Sequence, residues 1–112
     1  NVLARNCDDH TKNFAFRLKK EGKWELAPAY DICHAYRPGS DWVSQHALSI
    51  NNKRKDILKE DLLIIGESIK CKKSAHIIEE ISYTVGRWKE FAKEVEVSQG
   101  LVDAIGKTLL KI

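Results

Sequence analysis

The sequence predicts a mainly α chain with one small β-hairpin. Two observations carry that prediction. Residues 14–26 alternate large apolar and polar side chains around a glycine-containing turn, and from residue 57 onward apolar side chains recur three and four apart. The first is the period of a half-buried strand and the second that of a helix face.

In chain order, Asn1 to Cys7 read as the end of a helix leading into a loop at Asp8. Phe14-Ala15-Phe16-Arg17-Leu18 alternates as a strand, Lys19-Lys20-Glu21-Gly22 is a turn with its glycine late, and Trp24-Glu25-Leu26 alternates again. Together they predict a hairpin with its apolar face half-buried. Pro28 limits strand continuation and pushes Ala27 into an extended conformation. Residues 33–52 are irregular, with a turn at Pro38-Gly39-Ser40, a short extended piece over His46–Ile50, and a second turn at Asn51-Asn52. Ile57, Leu58, Leu62, Ile65 and Ile69 fit one helix face, with Asp61 near the start. A single long amphipathic helix is expected from Ser74 to Glu94, capped by Ser74. Its inward face is Ile77, Ile78, Ile81, Val85, Trp88, Ala92 and Val95, with Trp88 in the core and Gly86 allowing close packing. A last helix after Ser98 is expected to face Leu101, Val102, Ile105, Leu109 and Leu110 inward.

At 112 residues the chain is one domain or a piece of one. It reads as a single unit over 1–112, with the motif-bearing part at 1–54 and a helical tail at 55–112. The charge balance is 19 − 16 = +3, with basic and acidic residues interspersed, which does not argue for direct nucleic-acid binding. Lys53-Arg54-Lys55 and Lys70-Cys71-Lys72-Lys73 read as solvated segments rather than phosphate-binding patches. The three cysteines (Cys7, Cys33, Cys71) are an odd count without a CxxC pair, so free thiols in an intracellular, cytoplasmic protein are expected. No apolar run approaches the ~20 residues that cross a membrane, so no membrane partner is expected.

The chemistry concentrates in Asp8-Asp9-His10-Thr11-Lys12-Asn13-Phe14-Ala15. Asp8 and Asn13 stand five apart, a hairpin follows, and Asp31 comes after it. Kinases place a catalytic base and two Mg²⁺ ligands in this order. Phosphoryl transfer needs a carboxylate for the proton of the attacking hydroxyl and oxygen ligands that hold Mg²⁺ against the phosphates of ATP. Asp8 is the candidate base, with Asn13 and Asp31 as the metal and cofactor ligands. His10 or Lys12 is the candidate contact to the transferred phosphate, His10 having the alternative of holding Asp8 in place through the loop backbone. Tyr30 is expected to pack against the hairpin.

Blander readings stand beside these. Taken alone, Asp8 and Asp9 are a loop or cap pair, Asn13 a turn amide, and Asp31 a cap or Asx-turn. Cys7 beside Asp8 and His10 is the one candidate thiol nucleophile. Asp8, Asp9 and His10 could ligate a hydrolytic metal, although adjacent side chains seldom converge on one ion. His34, His46 and His76 read as surface or core-edge residues, and Trp24 and Trp42 lie too far apart for a stacking platform.

Asn6-Cys7-Asp8-Asp9-His10-Thr11-Lys12-Asn13-Phe14 is similar to the N-x-D-D-H-x-K-N-F loop of the HipA family of bacterial serine/threonine kinases, the toxin half of a toxin–antitoxin pair. Leu26-Ala27-Pro28-Ala29-Tyr30-Asp31-Ile32 resembles its L-x-P-x-Y-D-I segment, and Ala47-Leu48-Ser49-Ile50-Asn51-Asn52-Lys53 resembles L-A-L-x-I-N-G-K, with Asn52 in place of the usual glycine. The resemblance implies part of the C-terminal lobe of a protein-kinase-like fold, with Asp8 as base and Asn13 and Asp31 on Mg²⁺. It implies ATP as cofactor and a protein serine as substrate, an aminoacyl-tRNA synthetase being the known type. It also implies a helix-turn-helix antitoxin as partner, with DNA engaged only indirectly through it. A kinase needs a Gly-rich loop and a lysine upstream of this motif, so the chain is expected to be a C-terminal fragment, inactive without its ATP-binding lobe. The alternative is a non-catalytic module that docks a helix-turn-helix regulator.

Overall fold

The hairpin forms where the alternation places it. In the computed structural model, which describes all 112 residues, β1 (Phe16–Leu18) and β2 (Trp24–Leu26) pair antiparallel. Phe16 lies opposite Leu26, Arg17 opposite Glu25, and Leu18 opposite Trp24. The turn closes with Gly22 N donating to Lys19 O at 2.9 Å, and Gly22 takes the left-handed φ of 76° that a three-residue hairpin loop requires. On one face Glu25 pairs with Arg17 and Lys19. The other face, expected half-buried, is open: Phe16 is 66% and Trp24 68% exposed. No other helix or strand of the chain packs on it, so the alternation gave the period correctly and the burial wrongly.

The rest is helical, and the chain is mainly α as predicted. The helices are α1 (Lys59–Ser68), α2 (Ser74–Gly86), α3 (Trp88–Glu94) and α4 (Gln99–Gly106). The expected single helix over 74–94 is two. Arg87, at φ −84° and ψ 12°, leaves the helical region. Its N–H donates to Thr84 O at 3.1 Å, and its carbonyl accepts Glu90 N at 2.9 Å to start α3. Gly86 has open space where a Cβ would stand, so it does not serve close packing; as the last residue of α2 it holds the helix less well than alanine would, by up to ~1 kcal/mol. Beyond the break Trp88 meets α4, its Nε1 donating to Val102 O at 3.0 Å. It is half-buried there and not in the core.

Ser74 is the first residue of α2, not its cap; Lys73 holds the cap position. Ser74 packs instead on Gly66 of α1, where an added Cβ would overlap the Ser74 Cβ and stand 2.7 Å from its Oγ. This is the close glycine contact of the fold. On α4 Val102 is buried, while Leu101 faces solvent.

The expected helix end at the start of the chain is realised as a Schellman closure. Asn6 N donates to Asn1 O at 3.0 Å, Arg5 N to Val2 O at 3.2 Å, and Arg5 takes φ 56°. Val2 and Leu3 then form the core with Ile57, and Ile50, Leu62, Val85, Leu110 and Ile112 pack around them. The C-terminal tail returns to this point. Leu110 N donates to Leu3 O at 3.0 Å, Arg5 Nε to Thr108 O at 3.1 Å, and His34 Nε2 meets Thr108 Oγ1 at 2.8 Å. The helical tail thus holds the residues that lead directly into Asp8.

Asn51 and Asn52 make a tight turn with φ of 48° and 62°, closed by mutual Ile50–Lys53 backbone bonds of 2.8 Å. Asparagine accepts this conformation better than most residues, which explains how Asn52 stands where glycine is usual. The turn is tied to α1 through Asp61, 2% exposed, whose carboxylate accepts Asn51 Nδ2 at 2.8 Å, Leu58 N at 2.8 Å and Lys53 Nζ at 2.9 Å. The Asn51 amide first, then the Leu58 N–H and Lys53, hold its carboxyl down at about 2. A depressed folded value means that this stabilisation is complete above the ordinary carboxylate value and is lost as pH falls through the folded one. Helicity followed by circular dichroism should therefore fall between pH 3.8 and about 2. Asp61→Asn, which has no carboxyl to titrate, should show a smaller fall in that window.

Candidate functional site

The segment carrying Asp8 is pinned from two sides by backbone. On one, Cys7 N donates to Ala35 O at 2.9 Å and Ala35 N to Arg5 O at 3.0 Å; on the other, Ala47 N donates to Cys7 O at 3.1 Å. Thr11–Asn13 then form one 3-10 turn, with Asn13 N on His10 O at 3.0 Å.

The two adjacent aspartates face opposite ways. Asp8 is exposed, whereas Asp9 is buried. The Asp9 carboxylate meets His46 Nδ1 at 2.9 Å and accepts Ala47 N at 2.8 Å and Leu48 N at 3.4 Å. His46 is 2% exposed, which corrects the surface or core-edge expectation. A buried carboxylate needs a partner of this kind. Arg54 holds the same place, its Nε donating to His46 O at 2.6 Å. Asp9 and His46 were missed as a pair because 37 residues separate them and neither carries a local signal.

Asn13 turns back on the loop. Its Nδ2 donates to the Asp8 carbonyl at 2.9 Å, so Oδ1 is the atom left for a cation. Asp31 follows the hairpin and is exposed, with φ 54°. Two hydrogen bonds bring its segment to the loop. Asn6 Nδ2 donates to Asp31 O at 2.9 Å, and the Tyr30 hydroxyl donates to Lys12 O at 2.6 Å. Tyr30 thus fastens to the turn ahead of the hairpin, its ring 45% exposed. His10 Nε2 lies 3.9 Å from Asp8 Oδ1, beyond hydrogen-bond range, and the buried Nδ1 has no partner. The Lys12 side chain is exposed.

Two alternatives lose their footing. Cys7 is fully buried, and burial first, then the Asp9 charge, pushes its thiol up despite Arg5, the opposite of a nucleophile's environment. With Asp9 turned inward, Asp8, Asp9 and His10 do not converge, and no three His, Cys, Asp or Glu side chains gather anywhere as a metal cluster. What the loop presents instead is oxygen, the exposed Asp8 carboxylate and the Asn13 amide oxygen, with the exposed Asp31 carboxylate on the segment tied to it through Asn6 and Tyr30; oxygen donors of this kind suit Mg²⁺. A cavity of about 750 Å³ runs between the end of α2, α3, α4 and the tail, and none of these residues lines it.

A family model described as the HipA-like C-terminal domain matches residues 1–109. The chain belongs to that family. No curated protein and no solved structure matches it at a significant level. In this HipA-like domain the matched span takes in the Asp8–Asn13 loop, the hairpin, Asp31 and all four helices. None of those helices is long and apolar enough to cross a membrane.

Proposed function

We propose that this HipA-like domain carries the catalytic half of an ATP-dependent protein serine/threonine kinase. The observation behind this reading is the Asn13 amide fixed to the Asp8 carbonyl at 2.9 Å, which orders base and ligand on one turn. Asp8 accepts the proton of a serine or threonine hydroxyl as that oxygen attacks the γ-phosphorus and the bond to the bridging oxygen breaks. Asn13 Oδ1 and the Asp31 carboxylate would hold Mg²⁺, which would supply positive charge against the phosphates of ATP. His10 or Lys12 supplies the donor toward the transferred phosphoryl group. The phosphates need a second cradle, a Gly-rich loop and lysine, from an N-terminal ATP-binding lobe. The substrate is a protein, an aminoacyl-tRNA synthetase being the type that family membership suggests. The partner is a helix-turn-helix antitoxin, through which alone DNA is engaged.

The test is transfer of labelled γ-phosphate by the full-length protein in Mg²⁺. Phosphoserine or phosphothreonine should form, the 112-residue chain alone should form none, and His10→Ala should slow the reaction. Turnover by the isolated chain contradicts the two-lobe reading. Unchanged rates in a folded His10→Ala protein remove both roles given to His10. A full-length protein that co-purifies with a helix-turn-helix regulator but transfers no phosphate is a docking module and not a kinase.

A further inference from the structure

Asn6 is 1% exposed and lies two residues before the proposed base. Its Nδ2 donates to Asp31 O at 2.9 Å and to Asn1 Oδ1 at 3.2 Å. We infer that Asn6 is a positioning residue that sets the Asp31 carboxylate as a metal ligand, an inference that rests on the kinase reading above.

Asp31 sits at φ 54°, a conformation that costs an L-residue ~1 kcal/mol or more and persists only when its surroundings impose it. Two bonds impose it here. The Tyr30 hydroxyl on Lys12 O anchors the residue before, and Asn6 Nδ2 holds the Asp31 carbonyl itself. Fixing that carbonyl fixes the following peptide plane, and with it the direction in which the Asp31 Cβ leaves the backbone. The backbone on either side of Asn6 is tied down, since Arg5 and Cys7 both bond to Ala35. One buried amide therefore joins the base-bearing loop to the ligand-bearing segment 25 residues on.

A packing role alone would not call for an amide. The Asn6 Oδ1 is buried without a partner, an expense that an apolar side chain of similar size would avoid. What the amide supplies is its N–H donors, the shorter bond going to Asp31 O and the longer to Asn1 Oδ1.

The experiment is a Mg²⁺ titration of phosphoryl transfer in full-length protein, with Mg²⁺-free ATP binding and thermal unfolding measured alongside. Asn6→Ala should raise the half-saturating Mg²⁺ concentration roughly ten-fold, the size of one lost hydrogen bond, and leave Mg²⁺-free ATP binding within about two-fold. In an Asp31→Ala background the same change should have no further effect on the Mg²⁺ requirement. Should Asn6→Ala fail to fold, Asn6→Ser carries the same prediction. An unchanged Mg²⁺ requirement in a folded Asn6 variant, or an equal effect with and without Asp31, overturns the inference. If Asp31→Ala itself leaves the Mg²⁺ requirement unaltered, the metal assignment is what has failed.

Discussion

Asp31→Ala in the full-length protein is expected to reduce ATP binding in Mg²⁺ to its metal-free level, while Asp8→Asn keeps that binding and loses transfer. The two variants should separate because, on the proposed roles, the two carboxylates would meet different partners. Asp31 would hold the cation, and without it the metal has only the Asn13 oxygen and its waters. Asp8 would meet only the substrate hydroxyl, whose proton it takes as the phosphorus–oxygen bond forms. Removing a general base typically costs 10²–10⁴-fold in rate, so Asp8→Asn should lower kcat by ~10² or more. Isothermal titration with a non-hydrolysable ATP analogue, with and without Mg²⁺, reads the first effect, and single-turnover transfer reads the second. Equal loss of binding in both variants would contradict the assigned roles.

The neighbouring aspartate should behave in the opposite manner. Asp9→Ala or His46→Ala removes one half of a buried pair whose members are 5% and 2% exposed. Asp9→Ala leaves His46 Nδ1 and the Leu48 N–H without their acceptor, and His46→Ala leaves the Asp9 carboxylate with only backbone donors; a buried polar group left short of a partner costs ~1–3 kcal/mol. Against the ~5–15 kcal/mol that holds a typical domain folded, this is a large fraction. Asp8→Ala, on an exposed side chain, should change stability by no more than ~0.5 kcal/mol. Urea unfolding of the full-length variants measures both. Losses below ~1 kcal/mol for Asp9→Ala and His46→Ala would show that the pair does not hold the loop. Position 8 is thus expected to govern activity and position 9 folding, although the two are chemically identical neighbours.

What the sequence reveals is local. Phe16–Leu18 and Trp24–Leu26 pair in the expected order because a period of two and a glycine turn are both short-range signals. The Asn51–Asn52 turn is legible for the same reason. The break at Arg87 is hidden because Val85, Trp88 and Ala92 keep helical spacing across it and no proline marks it. Helix ends are hidden because non-glycine residues close them. Lys70 ends α1 at φ 56° and Glu96 ends α3 at φ 57°, each with the six-to-one and five-to-two bonds that usually point to glycine. Burial is the least legible property. The hairpin face is apolar yet open, and His46 is polar yet buried, because each depends on what the chain brings near it in space. The candidate site follows the same division. Asp8, Asn13 and Asp31 stand out by spacing, whereas what Asn6, Asp9 and His46 hold in place is seen only through the long-range bonds they make.

The central claim is that oxygens of Asn13 and Asp31 hold a nucleotide-bound cation beside Asp8. A crystal structure of the full-length protein with Mg²⁺ and a non-hydrolysable ATP analogue tests it most directly. Asn13 Oδ1 and an Asp31 carboxylate oxygen should each stand ~2.0–2.1 Å from the ion, with Asp8 facing the γ-phosphate. A cation bound by other residues, with Asn13 and Asp31 directed away from the phosphates, would contradict it.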